Sequence, residues 1–146
     1  MSHKDVFVLG AGFSKAIDAG MPTMKELTFE VRTRISRDGE FQLPSPFDAG
    51  AADNIELWMT YLSQNQPWLD RSENQYNRAL ATRIENYIVE IIREQESAAL
   101  GQAMPDWLGQ LVGRWVTAQA TVITLNYDTL VERATVGEPS DEDGLS

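Results

Sequence analysis

"DVFVLGAGFSKAIDAGMPT", residues 5–23, sets an apolar run directly against two glycines one residue apart, with a helix-like segment behind them. Val6-Phe7-Val8-Leu9 is apolar without alternation, as a strand reads when both faces of a parallel sheet are covered. Gly10 and Gly12 carry no Cβ, so the backbone can turn there and come close to a ligand. Phe13 to Ala19 can start a helix, with Ser14 near its first turn. Unpaired N–H groups at a helix start, with the positive end of the helix dipole behind them, suit an anion. Strand, glycine turn, helix start and phosphate make one reading of the stretch. A plain tight turn makes the other.

Two familiar nucleotide motifs are excluded by their spacing. A dehydrogenase-type fingerprint needs a third glycine three residues after the second, where helix and strand pack closely. Lys15 stands there. A Walker loop needs Gly-Lys-Ser/Thr after four spacer residues, and the stretch has none.

Composition sets the outer limits. A chain of 146 residues makes one domain at most, and it is long enough for a real core. Its hydrophobic content of 42% fits a globular chain, and no apolar stretch reaches the length of a membrane span. The first apolar run is short and ends in glycines, so no signal peptide is read and a cytoplasmic location is expected. The absence of cysteine removes disulfides and thiolate metal sites, and a single histidine argues against a histidine-based one. A net charge of −10 argues against nucleic acid, which needs a basic face.

Helices are expected along most of the remaining chain. Thr23 with Glu26 has capping-box spacing directly after Pro22, which predicts a helix from about 24 to 36. Residues 38–52 carry glycines and the prolines Pro44 and Pro46, and read as a loop. Asp53 and Glu56 repeat the cap spacing before a helix at about 54–65, with Ile55, Trp58 and Leu62 on one face. Ser72 and Gln75 repeat it before the longest helix, about 73–97. There Tyr76, Leu80, Ile84, Tyr87, Ile88, Ile91 and Ile92 keep a helical period. Pro105 suits the first turn of a helix to about Thr117, with Trp107, Leu111 and Trp115 inward. The acidic tail, residues 136–146, is expected to be disordered.

The second informative stretch is "ATVITLNYDTLVERA", residues 120–134. Val122 and Ile123 make a short buried strand, Tyr127 to Ala134 can begin a helix, and Thr124, Asn126 and Asp128 lie at the junction. Ligands of an open parallel sheet bind at the carboxyl ends of its strands, so both special stretches bring small polar groups to one edge. Asn126 can donate and accept, as a ribose hydroxyl requires, and Asp128 can accept from an amide. The alternative is that Asn126 caps the helix and Asp128 sits in its first turn.

Taken together, these residues resemble the SIR2-like family, relatives of the sirtuins that bind NAD. The shared pattern is a Gly-Ala-Gly-x-Ser turn (Gly10, Ala11, Gly12, Ser14), a Gly-x-Pro (Gly20, Pro22), and a Thr-x-Asn-x-Asp element (Thr124, Asn126, Asp128). The Asn-Tyr-Asp triplet and the helical segment between the motifs look most like bacterial SIR2-like proteins of anti-phage defence. The resemblance implies an α/β fold: a partial Rossmann-like parallel sheet in a domain spanning 1–135, with a large helical insertion at about 53–118. It implies NAD, as substrate or ligand, on Gly10, Ala11, Gly12, Phe13, Ser14, Gly20, Pro22, Thr124, Asn126 and Asp128. Gly10 to Ser14 would hold the diphosphate, Asn126 the nicotinamide ribose, and Asp128 the carboxamide, with Asn126 and Asp128 as the catalytic pair.

The departures bear on activity. Leu125 stands where sirtuins commonly have glutamine, and the zinc module of deacetylating sirtuins is absent, as a chain without cysteine requires. The family's catalytic histidine has no counterpart further along. His3 precedes the first strand, and a strand of about five residues spans about 16 Å, so it is expected at the far edge as a surface residue without a role. Two strands are also few for a doubly wound sheet, so a longer protein, a second copy or a partner chain is expected to complete it. Two functions stay open: an NAD glycohydrolase of anti-phage defence, and a catalytically degenerate sensor of NAD or ADP-ribose, or regulatory subunit.

Overall fold

A computed structural model describes residues 4–44, 47 and 54–136. The elements run β1 (Val6–Leu9), α1 (Ala11–Ile17), α2 (Met24–Asp38), α3 (Ile55–Ser63), α4 (Arg71–Leu100), α5 (Asp106–Thr117), β2 (Thr121–Thr124) and α6 (Leu130–Val136). The chain divides into two compact units. One joins the residues up to Met21 with those from Gln95 onward, and the other spans Pro22–Glu94. The helical unit therefore begins before the insertion expected at about 53–118 and leaves α5 with the strands. His3 and residues 137–146 of the acidic tail lie outside the described residues.

In the first unit β1 and β2 pair in parallel, with Val6 opposite Thr121 and Leu9 opposite Thr124. Thr121 N–H donates to the Asp5 carbonyl and Leu125 N–H to the Leu9 carbonyl, each at 2.9 Å, extending the ladder at both ends. Alternation along the strands sends Phe7, Leu9 and Val122 to one face. There they pack with Phe13 and Ile17 of α1, Leu111 and Trp115 of α5, and Val131 of α6. The opposite face differs from the sequence expectation of cover on both sides: Val6 is 60% exposed, Val8 61% and Ile123 45%. The reason is that the helices of this core, α1, α5 and α6, all pack on the side of Phe7 and Leu9.

The helix α5 corrects a second expectation. Pro105 is its N-cap rather than a first-turn residue, and Leu108 and Trp115 are buried while Trp107 is substantially exposed. Leu108, Leu111, Val112 and Trp115 form the apolar stripe at helical spacing, which leaves Trp107 on its flank.

The second unit is built by α2, α3 and the first part of α4. Its core gathers Leu27, Val31 and Ile35 of α2, Ile55, Trp58 and Leu62 of α3, and Leu80, Ala81, Ile84 and Ile91 of α4, with Phe47. Arg34 reaches Glu94 at 2.7 Å and Glu90 at 3.2 Å, and the Glu94 hydrogen bond raises its pKa. Pairs this exposed are worth about 0–1 kcal/mol each, against about 1.5–3 kcal/mol for each large apolar side chain buried, so the core decides the packing.

Caps set the helix starts. Thr23 and Glu26 form the expected capping box, and α2 ends at Gly39 in the left-handed region with φ 69°. The cap of α3 is Asn54, one residue after the expected Asp53, and its side chain accepts from Glu56 N–H at 2.9 Å and Leu57 N–H at 3.4 Å. Asp53 itself lies outside the described residues. For α4 the box is Asp70 with Glu73, two reciprocal bonds of 2.8 Å, rather than Ser72 with Gln75. Ser72 instead donates its hydroxyl to Asp70 at 2.8 Å. The Glu73 N–H holds the Asp70 carboxyl below the usual carboxylate range. Tyr76, expected inward, is partly exposed and pins Gln42, whose N–H donates to its hydroxyl at 2.7 Å.

Tyr87 shows how α4 holds the end of α2. Its hydroxyl donates to Asp38, and the Arg83 guanidinium bonds to Asp38 at 3.2 Å and lies over the Tyr87 ring. Burial, and then the Asp38 bond, push the phenol up to about 12. A folded-state pKa above the unfolded value of about 10 favours the neutral phenol. Its contribution to stability is therefore present below about pH 10 and lost as pH rises towards about 12. In an absorbance titration of the phenols, Tyr87→Phe should remove an ionisation step at about pH 12. A titration unchanged by the substitution would refute this account.

Candidate functional site

The parallel register decides where the two sequence motifs meet. Because Leu9 pairs with Thr124, the chain leaves both strands at the same edge, through Gly10 on one side and Leu125 on the other. Carboxyl strand ends side by side are where an open parallel sheet places its ligands.

Gly10 is the N-cap of α1 at φ −114° and ψ −179°, an extended conformation open to any residue. A Cβ built on Gly10 or Gly12 would meet nothing within 4 Å. Neither backbone conformation nor packing requires glycine at these two positions. What the two glycines leave is open space against the turn, and no side chain caps α1.

Ser14 lies one turn along and is buried at 1% exposure. Its hydroxyl oxygen accepts from the Asn126 side-chain amide at 2.6 Å, a contact between residues 112 apart in sequence. Asn126 is held from the other direction by its backbone N–H, which donates to the Thr124 hydroxyl at 3.2 Å. The buried side-chain oxygen Oδ1 of Asn126 has no hydrogen-bond partner among the described residues. One end of the amide is thus fixed to α1 and the other has its bonding capacity unused.

Asp128 takes the capping role that the alternative reading had given to Asn126. It is buried, and its Oδ1 accepts from Leu130 N–H at 3.1 Å at the start of α6. Thr129 is held in turn by Glu96 of α4, which accepts from its N–H at 2.8 Å and from its hydroxyl. Sequence reasoning did not select Glu96. Its partner lies 33 residues away, and nothing local in its polar surroundings marks it.

The other expected site residues have varied surroundings. Phe13 is partly buried against the rings of Trp107 and Trp115. Ala11, also partly buried, opens α1. Gly20 has a structural reason to be glycine: a Cβ would lie 2.9 Å from Asp18 Oδ1 and 3.1 Å from Gln95 Oε1. Its N–H donates to that same Asp18 oxygen at 2.7 Å. Lys15, where a dehydrogenase turn has its third glycine, donates to the carbonyls of Ala19 at 3.2 Å and Met21 at 3.4 Å. Pro22 belongs to the helical unit. The structure therefore brings Gly10, Gly12, Ser14, Thr124, Asn126 and Asp128 to one edge, and leaves Gly20 as a turn residue.

Comparison with known proteins returns no matching family model, curated protein or solved structure.

Ser14→Ala should expose how much the edge depends on this side-chain bond between the two motifs. It leaves the Asn126 amide without its partner, and a stranded buried donor costs about 1–3 kcal/mol. Chemical denaturation should read a loss of that size. A loss below about 0.5 kcal/mol would mean that the bond does not hold the edge together.

Proposed function

We propose that the edge formed by Gly10–Ser14 and Thr124–Asp128 is a nucleotide site for NAD, in a Rossmann-like arrangement similar to the SIR2-like family. The observation that carries this reading is the Asn126 amide, bonded to Ser14 at one end and left with a buried, partnerless oxygen at the other. A ligand hydroxyl is the group such an oxygen accepts from. The open space at Gly10 and Gly12 supports it, since a diphosphate could approach the backbone with no Cβ in the way.

On this reading the residues have distinct tasks. The Gly10–Ser14 turn holds the diphosphate, with the N–H groups at the start of α1 towards it; Phe13 N–H is already donated to the Gly10 carbonyl at 2.8 Å. Asn126 fixes the nicotinamide ribose, and Ser14 and Thr124 hold Asn126 in place. Asp128 shapes the turn that carries Asn126, and the resemblance gives it the carboxamide contact. Breaking the nicotinamide–ribose bond passes through an oxocarbenium-like transition state, as in glycoside hydrolysis. A fixed ribose, with water excluded until one molecule attacks the ribose C1′ as nicotinamide leaves, would supply much of the rate. NAD glycohydrolysis in bacterial anti-phage defence is the proposed activity.

One observation favours the second reading, a sensor of NAD or ADP-ribose. Asp128 spends a carboxylate oxygen on Leu130 N–H, and the described residues include no histidine to act as base. Asn126→Ala separates the two. In an enzyme, nicotinamide release should fall roughly a hundredfold to a thousandfold, the loss of about 2.7–4 kcal/mol typical of a hydrogen bond that strengthens in the transition state. A variant that melts earlier yet keeps full turnover would make Asn126 purely structural. Wild type that binds NAD tightly without releasing nicotinamide would select the sensor.

We further propose that a second copy or a partner chain completes the sheet. Among the described residues β1 and β2 pair only with each other, and two strands bury too little to stand alone. Light scattering should give a mass above that of the single chain, 16.4 kDa. A monodisperse, thermally stable monomer would remove the argument.

A further inference from the structure

We propose that Trp107 is the stacking face for an aromatic base of the nucleotide bound at this edge. The inference rests on the nucleotide reading above and extends it to a residue outside both motifs. Its basis is topology. The helix α5 is joined to the start of β2 by residues 118–120 alone, and it packs Trp115 against Phe7 of β1, with ring centroids 5.6 Å apart. It therefore runs back along the strands, and its first turn lies at their carboxyl edge.

The contacts at that first turn agree. The Trp107 ring stands at 87° to the ring of Phe13, with centroids 5.7 Å apart, and Phe13 is itself part of the Gly10–Ser14 segment. Trp107 is nevertheless 40% exposed, outside the buried stripe of its helix. An indole held at right angles to Phe13 and still 40% exposed has the form of a platform for a flat ring. Its place beside the turn carries the inference. Trp68 is more exposed but belongs to the helical unit.

The experiment is calorimetric titration of NAD into wild type, Trp107→Ala and Trp107→Phe, each with a melting curve. Trp107→Ala should bind NAD roughly 5- to 150-fold more weakly, the range found when a base loses its aromatic platform. Trp107→Phe should stay within about threefold of wild type, because a phenyl ring preserves a flat aromatic face. ADP-ribose and nicotinamide mononucleotide, titrated in parallel, identify the base: only the ligand carrying the stacked ring should lose affinity in Trp107→Ala. Wild-type affinity for NAD in Trp107→Ala would overturn the inference and leave the nucleotide site standing. Equal losses in both variants, with earlier melting, would assign Trp107 to packing on Phe13 and overturn it too. Wild type that binds none of the three ligands would overturn the nucleotide reading itself, and this inference with it.

Discussion

The site depends on one constraint, the parallel register that sets Leu9 against Thr124. A slip of one residue would reverse the faces of a strand, taking Phe7 and Leu9 out of the core and turning Val6 and Val8 into it. It would also separate the two strand ends. With the register in place, the Ser14 hydroxyl and the Asn126 amide come within 2.6 Å, and a glycine turn near residue 10 shares an edge with a polar turn near residue 126. Parallel pairing needs a long crossover, because two parallel strands cannot be joined by a tight turn. Here the crossover includes the whole helical unit, Pro22–Glu94.

Support for the polar turn comes in layers. Asp128 begins α6 through Leu130 N–H, and Glu96 holds Thr129 by two bonds. Thr124 braces Asn126 at its own backbone. Against this, the glycines have no compensating contact in the fold: Gly10 and Gly12 face open space, whereas Gly20 is closed in by Asp18 and Gln95. The contrast separates a glycine that the local packing favours from two that it does not. A protein interior leaves few buried polar atoms without a partner, and among the described residues Asn126 Oδ1 and Trp115 Nε1 are two such atoms.

The bare side of the sheet is the other departure from a self-contained fold. Val6, Val8 and Ile123 are exposed on the face opposite the helices, although all-parallel sheets are ordinarily covered on both. The sequence reading of β1 as a strand buried on both faces was an inference about its environment, drawn from its composition. The strand formed, but only one of the two environments is present among the described residues.

By itself the sequence determined the elements whose causes are local. The strands at Val6–Leu9 and Thr121–Thr124 follow from short β-branched, apolar runs, and the capping box at Thr23 and Glu26 from side chains three residues apart. The buried face of Ile55, Trp58 and Leu62 follows from helical period alone. Caps were less legible, because Asp53 competed with Asn54 and Ser72 with Asp70 at neighbouring positions, and geometry decides between near-equal acceptors. Only tertiary structure could decide the roles of Asn126 and Asp128: at the sequence level both suit a helix start, and the Ser14 hydroxyl 112 residues away takes one of them. It also decided that Trp107 lies outside the core and that Glu96 braces the turn, since each depends on a partner brought near by the fold. The physical reason is range. Period, propensity and capping act within one or two turns of chain, whereas an edge such as this one is made where distant segments meet.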